Sequence, residues 1–180
     1  FLVISPSVFI SVQHSVPNAI NSPCLPPPTN VCYEVAQYFF DITLPSDTES
    51  YTVAYQRCCR NNSIVNIVNA QGTGATYMAV ITNPRIAAVN SNPVFNNWPP
   101  TFICKDAPFT FDHSATDADG DSLVYELSYP SEGGSMTTPI PVPPVSPPYA
   151  PITFLNPYSI NNPLGGIAME INSSSGILKA

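Results

Sequence analysis

The sequence predicts an all-β chain, and three observations carry that reading. Proline supplies 22 of 180 residues, more than twice its usual share of about 5%. So many ring-locked positions, with few Glu, Lys and Ala, exclude a helical bundle. Apolar side chains recur with a period of two, and short runs of this kind are separated by turn clusters at regular spacing. Such spacing is the pattern of immunoglobulin-like β-sandwiches.

The elements follow in order. A short strand is expected at Val8–Gln13. Tyr38, Phe40, Ile42 and Leu44 alternate with Phe39, Asp41 and Thr43, a strand of period two. Pro45-Ser46-Asp47-Thr48 is a turn, after which Tyr51, Val53 and Tyr55 alternate with Thr52, Ala54 and Gln56. The two runs read as a hairpin. Ile64–Val68 and Tyr77–Thr82, around Gly72-Thr73-Gly74, read as a second hairpin. Further strands are expected at Pro108–Phe111, Leu123–Ser128, Ile167–Ile171 and Gly176–Leu178. The polar stretch Asn90–Pro100, with three prolines, fits an extended connector and divides the chain into sandwiches at 1–91 and 92–180. Pro130–Pro157 holds nine prolines in 28 residues. It is either a polyproline ligand or a stiff loop packed on the sandwich through Tyr149, Phe154 and Tyr158. The second module offers only about four or five strands where a sandwich needs about seven. It therefore reads as incomplete at its C-terminus, to be closed by further chain or by a donated strand.

Charge narrows the function classes. Only 9% of residues are charged and the net charge is −7. Five cations cannot neutralise a phosphate track, so nucleic acid is not an expected partner. With one Trp, nine Tyr and nine Phe, the chain is too aromatic for a charged disordered tail. Phe1–Val12 is too short and broken to span a bilayer, and no signal peptide is evident, so the chain reads as a mature or partial segment of a longer protein.

Cys24, Cys32, Cys58, Cys59 and Cys104 suggest an oxidising, extracellular setting. The gaps between them, seven, 25, none and 44 residues, do not match a zinc site. Pairing four of the five allows about 15 connectivities. Cys24–Cys32 is the expected local bridge. Adjacent Cys58 and Cys59 should face opposite sides of a strand and take different partners, one of them Cys104 unless that cysteine pairs beyond residue 180.

The sharpest chemical signal is Asp117-Ala118-Asp119-Gly120-Asp121. Three alternating carboxylates around a glycine suit a hard cation, which makes Asp117, Asp119 and Asp121 candidate calcium ligands. Asp106, Asp112 and Glu126 lie close in sequence. The plain alternative is an acidic turn before Leu123-Val124-Tyr125, since Asp and Asp-Gly favour turns for backbone reasons. Catalysis finds little footing: there is no nucleophile elbow or phosphate-cradling loop, and His113-Ser114 beside aspartates is no triad without geometry. The chain is therefore not expected to be an enzyme. Asn61-Asn62-Ser63 and Asn172-Ser173-Ser174 match the N-glycosylation pattern.

Several stretches together resemble secreted surface proteins of Bacteroidetes, the repetitive adhesin-like substrates of type IX secretion associated with gliding motility. They are Tyr55-Gln56-Arg57-Cys58-Cys59-Arg60-Asn61, Asn92-Pro93-Val94-Phe95, Phe102-Ile103-Cys104, Pro108 to His113 and Ala115 to Tyr125. The resemblance covers about residues 32–180, most strongly 92–127. It implies tandem cadherin/PKD-like sandwiches and a structural role in a cell-surface adhesin or filament, stiffened by calcium and disulfides. The expected partners are other modules of the same polypeptide or filament. The alternative is a carbohydrate-binding module that meets surface glycans through Trp98, Tyr149 and Tyr158.

Overall fold

The computed structural model describes residues 12–15, 24, 34–45, 48–100 and 102–180. The chain is all-β: among the described residues there are nine short strands, and the only helical piece is one 3-10 turn, Ala70–Gly72. Strand β1 (Val12–Ser15) pairs antiparallel with β2 (Glu34–Gln37). Most of the strand expected at Val8–Gln13, the residues Ser46 and Asp47 of the first turn, and Cys32 lie outside the described residues.

The longest ladder joins β3 (Tyr51–Arg57) to β4 (Ala75–Ile81), from Tyr51↔Ile81 through Arg57↔Ala75. The sequence paired Tyr51–Gln56 with residues 38–44 instead. Residues 38–44 are extended but belong to no strand. The partner choice follows from matched length and cross-strand chemistry. Seven residues face seven, with Tyr55 opposite Tyr77 and Thr52 opposite Val80, pairs that stabilise a sheet. Ile64–Val68 also departs from its expected hairpin. Asn61 accepts from Ser63 and Ile64 to form a turn, and Ile67 bridges to Phe154 while Val68 N–H donates to Thr153.

That detour builds the core. Ile67, Ala70 and Ile152 are buried together, with Ile64 and Phe154 packed against them. The cluster draws on both sides of residue 92. The proline-rich segment is thus a packed element, and its aromatic anchor is Phe154, against which Tyr129 tilts at 6.1 Å between ring centroids. The segment also extends the β3–β4 ladder sideways by bridges, Thr76 to Ser131 and Ser131 to Pro151. The close approach needs glycine. A Cβ on Gly74 would sit 2.2 Å from the Gly134 carbonyl oxygen, a distance no side chain tolerates.

Residues 94–180 carry five strands in two sheets. β5 (Val94–Phe95) pairs with β7 (Ala115–Thr116), and β9 (Ile177–Lys179) lies between β6 (Thr110–Asp112) and β8 (Glu170–Ile171). The stretch Asn90–Pro100 is therefore not a free connector, since its centre forms β5. Aromatic rings join the sheets: Phe95 stacks on His113 at 4.3 Å, and Phe111 lies tilted 5.7 Å from the same ring. The expected strand at Leu123–Ser128 does not form; Tyr125 N–H donates instead to the Ser173 carbonyl, and its hydroxyl accepts from Ala115 N–H.

Candidate functional site

Strand β7 delivers the chain into the acidic loop. One oxygen of Asp117 accepts from the amides of Asp119 at 2.9 Å and Asp121 at 3.2 Å. The same residue's carbonyl accepts from Gly120, which takes φ +83°, a left-handed turn that glycine adopts without steric cost. Asp119 turns away to accept from the Ser91 amide. Asp117 is half-buried, and Asp119 and Asp121 are exposed. The sequence thus located the loop and its glycine. The arrangement is that of a self-capped turn, and among the described residues no group of three His, Cys, Asp or Glu converges as a metal cage. Of the neighbouring acids, Asp112 is held by Ser114 N–H and Asn97 Nδ2, both at 3.0 Å. Hydrogen bonds from the Ser114 side chain and amide, and then from Asn97, hold its carboxyl below the ordinary value of 3.8.

The cysteines depart from the expected pairing. Cys24 joins Cys104, 80 residues on, and not Cys32. Cys58 and Cys59 join each other. The expectation of separate partners assumed that the strand continues through both, so that they face opposite sides. β3 ends at Arg57, and that alternation is gone where the pair begins. Around the pair, the hairpin is fastened to the proline-rich segment. Cys58 N–H donates to Pro139 at 2.9 Å, and Arg60 donates from its amide to Thr73 and from Nη2 to Ser131. One residue before β3 ends, buried Gln56 bonds Thr76 Oγ1 at 3.2 Å, donates to the Val145 carbonyl at 3.2 Å and accepts from its amide at 2.8 Å. The buried pair Gln56 and Thr76 was missed from sequence. The available signal was a Gln following a run of Tyr, Thr, Val and Ala in the strand.

The three aromatics named for sugar binding are dispersed. None lies in a strand. Trp98 is 69% exposed, whereas Tyr149 and Tyr158 are half-buried, the Tyr158 ring lying over Gly165. They do not present one sheet face.

No protein-family model and no solved structure matches the chain. The chain is similar to integrin beta-like protein A of Dictyostelium discoideum, at 27% identity over 141 residues. That stretch is 76% of this chain but 6% of the curated relative, so the chain corresponds to a small part of it. No helix among the described residues is long and apolar enough to cross a membrane.

Proposed function

We propose that this chain is a structural segment of an extracellular, surface-exposed adhesive protein, with the substrates of Bacteroidetes type IX secretion as its expected setting. The observation that carries the reading is the Cys24–Cys104 disulfide, which closes 80 residues of a charge-poor, proline-rich β chain. Disulfides of this span persist in oxidising compartments and compensate for a small core. The name of the Dictyostelium relative points the same way. In this role the segment is a spacer between neighbouring modules and has no chemistry to perform. Calcium belongs to the proposal at Asp117, Asp119 and Asp121, where three carboxylates share one five-residue loop of a chain with net charge −7.

Two experiments test it. Protease shaving and antibody labelling of intact cells should detect the segment outside the cell, with peptide mapping recovering the Cys24–Cys104 bridge; a cytoplasmic, fully reduced protein would refute the role. Millimolar calcium should raise the melting temperature and a chelator reverse it, with the Asp121→Asn variant insensitive to both. An unchanged melting temperature would remove the ion from the proposal and leave the structural role standing.

A further inference from the structure

The β3–β4 ladder has two faces with different fates. Gln56 and Thr76 point to the side that the proline-rich segment covers. Alternation sends Tyr55, Arg57 and Tyr77 to the opposite side. Tyr55 and Tyr77 are direct cross-strand partners, 52% and 65% exposed. Arg57 is exposed beside them, about 7 Å along the strand from Tyr55. It is one of five cations in an acidic chain, and the ladder's Tyr-bearing face contains no carboxylate to neutralise it.

We propose that Tyr55, Tyr77 and Arg57 form a binding platform for an acidic polysaccharide, one whose sugar rings carry carboxylates. The chemistry of the three side chains selects that occupant. A tyrosine ring offers an apolar face to the C–H side of a sugar and keeps its hydroxyl in water as a hydrogen-bonding edge. Two such rings on facing strands make a platform wider than one ring, held by a sheet that is already ordered, so little conformational entropy is lost on binding. Arg57 adds a planar fork that matches a carboxylate in two parallel hydrogen bonds, at a distance one substituted sugar residue spans. A nonpolar protein partner fits less well, because two hydroxyls and a guanidinium interrupt the face. The surrounding negative charge repels polyanions in general, so retention of one requires a local cationic site, and the Arg57 variants decide whether it is this one. The platform is independent of the structural role proposed above, since a spacer serves without it.

Affinity electrophoresis of the full chain through gels containing polygalacturonate, dextran or polyglutamate tests the proposal. Polygalacturonate should retard the protein, and neither dextran nor polyglutamate should. Arg57→Gln should weaken retardation at least tenfold, Arg57→Lys should recover part of it, and Tyr77→Ala should abolish it. Should Tyr77→Ala unfold, as circular dichroism would reveal, Tyr77→Leu keeps the apolar area and should still lose most of the binding. Equal retardation by dextran, equal retardation by polyglutamate, or a folded Arg57→Gln protein that binds like the parent would each overturn the assignment. Surface labelling that fails while this binding persists would remove the extracellular role and leave the platform.

Discussion

Removing the long disulfide provides the most informative perturbation of this fold. Cys24 and Cys104 are separated by 80 residues. In the chain-entropy description, a closed loop of that size withholds about 15 cal/mol/K from the unfolded chain, or about 4.5 kcal/mol at 25 °C. Total stabilities of about 5–15 kcal/mol are usual, so this one link is a large share of the whole. The vicinal bridge closes a loop of two residues, for which the same relation gives only about 1.2 kcal/mol. Cys24→Ser/Cys104→Ser should therefore lower the unfolding free energy by about 3–4.5 kcal/mol, and Cys58→Ser/Cys59→Ser by about 1 kcal/mol. Urea unfolding followed by circular dichroism measures both under non-reducing conditions. Equal losses from the two variants, or a loss below about 1 kcal/mol for the long link, would refute the reasoning, because they would mean that loop size does not set the contribution.

Three further outcomes follow from contacts at other positions. Gln56→Ala should cost about 1–3 kcal/mol, since it removes the partner of the Val145 amide and carbonyl while Thr76 keeps its bond to the Glu132 carbonyl, and a loss below about 0.5 kcal/mol in urea unfolding would contradict that. Gly176 holds φ +71°, and a Cβ there would lie 2.9 Å from the His113 carbonyl oxygen; Gly176→Ala should lower the melting temperature, and an unchanged midpoint would be inconsistent with a left-handed turn between β8 and β9. Asp112 has its folded pKa depressed, so its contribution is present above the ordinary carboxylate value and is lost as pH falls through the lower folded value. In a carbon-detected NMR titration Ser114→Ala should move that midpoint up more than Asn97→Ala does, and the reverse order would show that the ranking of its partners is wrong.

What the sequence disclosed depended on the range of the interaction. Alternation marks β3 and β4 because side-chain direction in a strand is a local property, and the strands expected at Pro108–Phe111 and Gly176–Leu178 overlap β6 and β9 with their ends displaced by one or two residues. Pairing is not local. Residues 38–44 alternate as clearly as Tyr51–Arg57 do, yet the ladder goes to Ala75–Ile81, whose partners match along the full length. The acidic loop was legible because Asp-Gly turns are set by backbone preference, whereas the direction of each carboxylate depends on amides that the fold brings in, such as Ser91 against Asp119. The cysteine pattern pointed to disulfides, but Cys24–Cys104 is a tertiary contact that spacing does not encode. Gln56 illustrates the same limit, since its partner Val145 lies 89 residues away.

In the proposed spacer role, the bridge between Cys24 and Cys104 would also set how the segment carries load. A pull applied to flanking chain passes from one cysteine to the other through the bridge and bypasses residues 25–103. β2, β3, β4 and β5 all lie within that bypass. At about 3.3–3.6 Å per extended residue, the link withholds roughly 260–290 Å of contour length from the stretched molecule. The backbone of the enclosed strands then lies off the covalent load path, and force reaches the β3–β4 hairpin only through its contacts with residues after Cys104, such as the Gln56–Val145 hydrogen bonds. Reduction would release that hidden length in one step and turn a short, stiff spacer into a long, compliant one.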